Sequence, residues 1–202
     1  MQQLEREDPS PLVQVRVDAR DPGAARILAR SLAPHFRRHQ GMGGSIVALC
    51  IGTDRSTGDA LGPLVGTTLS EARCGIKVQG TLDEPVHAGN LTQVLKGLSG
   101  EDALILAVDA CLGQVSQVGT IALGLGPVRP GAGVNKVLPE VGQLHITGTV
   151  NVGGFMEYLV LQNTRLSLVI KMARVIAEAI RTADQMAAIL DETEALRRLS
   201  VD

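Results

Sequence analysis

Two apolar runs constrain this chain more than any other feature. They are Ser45-Ile46-Val47-Ala48-Leu49-Cys50-Ile51-Gly52 and Ala103-Leu104-Ile105-Leu106-Ala107-Val108. Neither shows the alternation of a half-exposed strand. A strand apolar at successive positions is covered on both faces, as in a parallel sheet flanked by helices. Each run leads to an acid. The first opens into Thr53-Asp54-Arg55-Ser56-Thr57-Gly58-Asp59-Ala60-Leu61-Gly62-Pro63, and the second into Asp109-Ala110-Cys111-Leu112-Gly113. Ligands of open parallel sheets bind in the crevice at the carboxyl ends of the strands. Asp59 and Asp109, each placed just past a strand, are therefore expected to share one site. Close carboxylates do not both ionise easily, so one retains a proton near neutral pH. Such a pair suits acid–base hydrolysis.

The rest of the chain fits this frame. Its 202 residues suit one α/β domain with a full core, and apolar residues outnumber charged ones, 45% against 20%. Strand-helix alternation predicts strands at 46–51, 77–82, 103–108 and 118–125, with helices at 59–71 and 90–98. Val13, Val15 and Val17 alternate with polar residues as in a short edge strand, and Asp21-Pro22 opens a helix that runs to Arg38. Residues 146–152 read as a strand or an extended loop. From Phe155 to about Ile189 the pattern is helical, with Leu166, Val169, Ile170, Ala173, Ile176, Ala177 and Ile180 forming an apolar stripe. The expected organisation is an N-terminal strand–helix appendage over 1–43, an α/β domain over 44–185 and a charged helical tail over 186–202. The apolar face of the last helix leaves room for a homo-oligomer.

Composition narrows the function. A net charge of −2 supplies no general attraction to nucleic acid or an acidic membrane surface. Phe36, Phe155 and Tyr158 are the three aromatic residues, too few for base stacking. Three cysteines without CxxC spacing suit a reducing compartment, no stretch reaches the ~18 apolar residues of a membrane span, and Met1–Asp8 does not read as a signal peptide. The expected location is cytoplasmic.

The candidate residues also have blander readings. Asp59 fits a first-turn helix acid, and Asp109 a carboxylate bonded to loop amides. Asp54 and Arg55 share the Asp59 loop and stand as substrate contacts or as a solvated ion pair. His145, in a loop-rich region, completes with Asp59 and Asp109 a set of two carboxylates and an imidazole suited to a divalent metal such as nickel or zinc. Its alternative is a hydrogen-bonded structural histidine. His87 is a weaker candidate. Cys111 reads as a thiol nucleophile with His145 as base, or as a structural thiol. Pro130-Gly131-Ala132-Gly133-Val134-Asn135-Lys136 lacks P-loop spacing and reads as a substrate rim, with Gly131, Gly133 and Asn135 as contacts.

The segment Cys50–Gly66, with His145-Ile146-Thr147-Gly148-Thr149-Val150-Asn151 and Gly154–Leu166, closely resembles the signature of the YyaC-like spore protease family. The resemblance spans roughly residues 44–182. That family is similar to the germination protease of spore-forming bacteria, which degrades small acid-soluble spore proteins, and to the hydrogenase maturation endopeptidases, which read nickel in their substrate through two carboxylates and a histidine. The first relative's pattern is close to Asp59-Ala60-Leu61-Gly62-Pro63, Val108-Asp109-Ala110 and Pro130-Gly131-Ala132-Gly133-Val134. Position 53 is Thr where both relatives usually carry Asn.

The resemblance implies a three-layer α/β/α fold of the phosphorylase/hydrolase-like type, with a mainly parallel sheet, and an endopeptidase whose catalytic pair is Asp59 and Asp109. It implies no cofactor, a protein or peptide substrate such as small acid-soluble spore proteins, and a forespore or mother-cell location. The metal-linked alternative places nickel or zinc on Asp59, Asp109 and His145. A further alternative is a sporulation protein that keeps the fold only to bind peptides.

Overall fold

Six strands hydrogen-bond into one sheet: β1 Leu12–Asp18, β2 Ser45–Cys50, β3 Lys77–Gln79, β4 Ala103–Gly113, β5 Thr120–Leu125 and β6 Leu144–Val152. Five α-helices pack around it: α1 Ala24–Gln40, α2 Leu61–Glu71, α3 Leu91–Leu98, α4 Glu157–Gln162 and α5 Leu166–Leu199. The computed structural model describes residues 12–72, 74–131 and 138–199, with side chains described as far as residue 189. The strand order is β1-β5-β6-β4-β2-β3. Strands β3, β2, β4 and β6 run parallel, while β5 is antiparallel to both β6 and β1. The fold is α/β with a mainly parallel sheet, as expected. Among the described residues no helix is long and apolar enough to cross a membrane.

Strand alternation divides the core between two faces. Ile46, Ala48 and Cys50 of β2, with Leu106 and Val108 of β4, join one large cluster that also holds residues of α1, α2 and α5. Leu49 and Ile51, with Ala107 of β4, turn the other way onto a smaller cluster containing Leu91 of α3 and Val141. Both central strands are thus covered on each side, which their continuous apolar sequence requires. At the N-terminus, β1 forms the sheet edge beside β5, and Leu28, Leu32 and Phe36 of α1 are fully buried in the larger cluster.

Several element bounds differ from expectation: β3 ends at Gln79 and not at 82, and β5 begins at Thr120 and not at 118, while of the two readings of 146–152 the strand is found. Strand β4 does not stop at Val108 but continues to Gly113, because β6 pairs with it to Val152. Residues 146–152 are strand, with β6 starting at Leu144. The expected helix from Phe155 is broken between α4 and α5. There Asn163 Nδ2 donates to Leu159 O at 2.8 Å and Thr164 Oγ1 donates to Val160 O at 2.9 Å. Asn151 Nδ2 also donates to Val160 O at 3.2 Å. Asn163 N–H still bonds the Leu159 carbonyl at 3.0 Å, but Thr164 N–H turns to Leu161 O at 3.3 Å, and the Val160 carbonyl that a continuous helix would bond to it is met by side chains instead.

Helix α2 lies almost in contact with the end of β2. A Cβ on Gly62 would collide with the Ile51 carbonyl, and one on Gly66 with the Gly80 carbonyl. Gly80, at φ +93°, itself comes so close to the Cys50 carbonyl that no side chain fits there. Helix propensity alone favours Gly66→Ala by about 1 kcal/mol. The collision with a backbone carbonyl opposes that gain, and overpacking of this kind costs about 1–3 kcal/mol, occasionally more. We expect net destabilisation of Gly66→Ala, read as a lower denaturant midpoint; a raised midpoint would refute the packing argument.

Candidate active site

The close seating of α2 delivers Asp59. A short 3-10 turn, Gly58–Ala60, precedes α2. The Asp59 carbonyl accepts a hydrogen bond from Thr53 N–H at 3.2 Å. Gly52, at φ +150°, passes so near this carbonyl that a Cβ would collide with it. The backbone thus curls back on the end of β2 and turns the Asp59 side chain into a cavity of about 560 Å³.

Asp109 reaches the same cavity from β4, where it stands opposite Thr147 of β6. It lies within the strand, not past its end as expected, and alternation sends its side chain to the same face as Ala107. Its Oδ1 accepts the N–H of Ala110 at 2.9 Å. Asp109 is half-buried in the cavity wall. Loss of hydration is the largest influence, and it pushes Asp109 up to about 8. The negative charge of Asp59 adds to the rise, while N–H groups of Ala110 and Gly131 oppose it. Asp59 is also raised by burial, and the Ser56 hydroxyl holds that rise back. Ser56 Oγ is sealed from solvent and has no partner in good hydrogen-bond geometry. We therefore treat its effect on Asp59 as that of a nearby dipole, short of a formed bond.

Arg55 and Gly131 border the cavity, as does Cys111, whereas Asp54 is exposed and stands outside the lining. Gly133 and Asn135 lie outside the described residues. Burial raises the Cys111 thiol, and its Sγ is 3.5 Å from Thr149 Oγ1. Its neighbours are the Thr149 hydroxyl and the Asp109 carboxyl, and His145 is bonded elsewhere, so the expected Cys111–His145 nucleophile–base pair is not formed.

His145 is placed elsewhere. It is buried between β6 and β5, where Gly124 leaves the room for its ring, and its Nδ1 is 2.9 Å from the Gly126 carbonyl. A carbonyl only accepts, so Nδ1 carries the proton. Hence His145 does not join the two aspartates, and among the described residues no three His, Cys, Asp or Glu side chains converge as a metal-binding group. The donor set proposed for nickel or zinc does not fit this arrangement.

Ser56, Thr147, Glu157 and Tyr158 also line the cavity, and sequence reasoning did not single them out. Thr147 carried a readable signal, being two residues from His145 on an alternating strand. Ser56 had none beyond its proximity to Asp59. His87 borders the cavity as well; its Nδ1 accepts Gly89 N–H at 3.1 Å, which leaves Nε2 as the nitrogen able to face a ligand.

The raised pKa makes Asp109 a liability for stability. Its unfolded value is about 3.9. Between that and about 8 the folded state binds the extra proton, so stability falls as pH rises through this window. Asp109→Asn should remove that slope. Relative to the unsubstituted protein it should be near neutral at pH 4 and more stable by ~2–4 kcal/mol at pH 9. Urea denaturation at the two pH values checks this, and equal effects at both would contradict the assignment.

Comparison with known proteins shows what this chain is similar to. The model of a family described as "Protein of unknown function (DUF1256)" matches residues 16–179. The "Uncharacterized protein YyaC" of Bacillus subtilis (strain 168) is 47% identical over 191 residues, covering 93% of this chain and 92% of that protein. A solved structure of the [NiFe] hydrogenase maturation protease HycI from Thermococcus kodakarensis KOD1 aligns with TM-score 0.48 at 19% identity, over 70% of this chain and 92% of that one.

Proposed function

Because this chain belongs to the YyaC-like DUF1256 family, we propose for it the activity that its carboxylate pair suits best: endopeptidase hydrolysis by Asp59 and Asp109. The observation that carries this reading is the joint presence of two burial-raised carboxyls in one cavity, with Asp109 pushed up to about 8. Their environments differ, and that difference divides the roles. Asp109 keeps its proton at neutral pH and serves as the acid. Asp59, nearer the Ser56 hydroxyl, is the member that ionises first and serves as the base. The pair titrates as a unit, so the two apparent constants belong to it jointly.

In the proposed reaction Asp59 takes a proton from water as the water oxygen bonds to the scissile carbonyl carbon. Asp109 gives its proton to the amide nitrogen as the C–N bond breaks, leaving a new carboxyl and a new amine. A proton then returns from Asp59 to Asp109, by way of solvent or product, to restore the resting pair. The amides that bond Asp109 here stabilise its carboxylate once the proton has gone. Arg55, exposed at the cavity, suits contact with substrate carbonyls or acidic side chains. The spore setting, with small acid-soluble spore proteins as the first substrates to try, is our proposal from the sequence resemblance. So is the division into an N-terminal segment over 1–43, a protease domain over 44–185 and a tail over 186–202.

Purified protein mixed with small acid-soluble spore proteins should generate new N-termini, detected by mass spectrometry. Asp59→Asn and Asp109→Asn should each lower cleavage by roughly 10²–10⁴-fold. The rate should fall in acid as Asp59 gains a proton and fall again above about pH 8 as Asp109 loses one. Termini produced equally by both variants would end the dyad reading.

A further inference from the structure

The sheet contains a notch beside the carboxylate pair. Strand β2 ends at Cys50, which is paired with Val108, whereas β4 continues for five residues more, Asp109–Gly113. At ~3.3 Å per residue that is about 16 Å of strand. One side of this extension is covered by β6. The other side, where β2 would lie if it were longer, opens on the cavity that holds Asp59 and Asp109.

The backbone direction of this extension follows from its hydrogen bonds. Val108 turns its carbonyl toward β2, where Ile51 N–H donates to it at 2.8 Å, and Gly113 turns its carbonyl toward β6, where Gly153 N–H donates to it at 2.9 Å. Successive strand residues alternate between their two neighbours, so Ala110 and Leu112 point their N–H and C=O groups at the uncovered side. The Ala110 N–H is bonded to the Asp109 carboxylate. Leu112 is partly buried, yet among the described residues no neighbouring strand meets its N–H or C=O on that side. Such groups normally find partners, and an open edge readily pairs with another chain. Here the edge borders the cavity of about 560 Å³, whose lining includes Asp109, Ala110, Cys111 and Leu112.

We propose that an extended polypeptide segment of the substrate binds as an added strand along Ala110–Gly113, in the position β2 vacates. The proposal rests on the peptidase reading and gives its substrate class: unfolded or extended chain, recognised largely through its backbone. A segment in this position starts beside Asp109 and Asp59 and runs along Leu112 toward the end of β4. Tyr158, 57% exposed, lines the same cavity, a placement that favours apolar side chains in the substrate beside the cleaved bond.

The test uses full-length Asp59→Asn protein, whose slowed chemistry leaves binding measurable, with the unsubstituted protein in parallel. A phage-displayed random dodecapeptide library is selected on the protein, and the enriched peptides are synthesised with N-methylation at each position in turn. Addition as a strand predicts that every second N-methyl group lowers affinity at least tenfold while the intervening ones are tolerated. It also predicts that exchange of the Leu112 amide, followed by NMR, slows at least tenfold on binding. Failure to enrich any peptide, uniform tolerance of N-methylation, or binding that leaves Leu112 exchange unchanged would each overturn the proposal. If the alternating pattern appears but the unsubstituted protein never cleaves the peptides, the peptidase reading fails and strand docking stands. Cleavage without the alternating pattern would overturn strand docking and leave the peptidase reading in place.

Discussion

The close seating of α2 on the carboxyl end of β2 is the constraint on which the site depends. Gly62 meets the Ile51 carbonyl and Gly66 meets the Gly80 carbonyl, at distances that exclude any side chain. A helix that sits this low brings its first turn down to the sheet, and the Asp59 carbonyl closes onto Thr53 N–H. With a larger residue at either glycine, the helix would have to rise and carry the 3-10 turn and its carboxylate away from β4. The glycines of Gly52–Gly66 are therefore geometric parts of the site although none of them has a reactive group.

The second constraint is the unequal length of adjacent strands. Because β4 outruns β2, Asp109 sits inside a strand and next to a space, a combination that a strand terminus would not supply. Pairing with β6 holds its backbone, and the missing neighbour on the other side provides the cavity. Poor hydration follows from that placement, and with it the raised pKa that separates Asp109 from Asp59. The same inequality leaves Leu112, among the described residues, without a neighbouring strand on its open side. Acid–base asymmetry and the proposed strand-docking edge thus have a common geometric origin.

Much of the architecture was legible in the sequence because the signals were local. Continuous apolar runs marked β2 and β4, Asp21-Pro22 marked the entry to α1, and helical spacing marked α5. What was missed depended on partners remote in sequence. Nothing between Val108 and Gly113 announces that β6 will extend β4. The break between α4 and α5 needs Asn151, on a different strand, to claim the Val160 carbonyl. His145 looked available because a loop-rich stretch precedes it, yet β6 begins at Leu144 and the imidazole is packed under Gly124 with its Nδ1 on Gly126.

By itself, then, the sequence determined the fold class, the central strands and the presence of an acid after each of them. These follow from hydrophobic period and from residue types that act over a few positions. Tertiary structure alone decided which side chains meet: Asp59 with Asp109 in one cavity, His145 apart from both, and Ser56 buried at the rim. It also decided which acid loses more water, and so which keeps a proton. That distinction depends on atoms brought together from β4, β6, the Gly58–Ala60 turn and the segment around Gly131, and no local pattern encodes their combined exclusion of solvent.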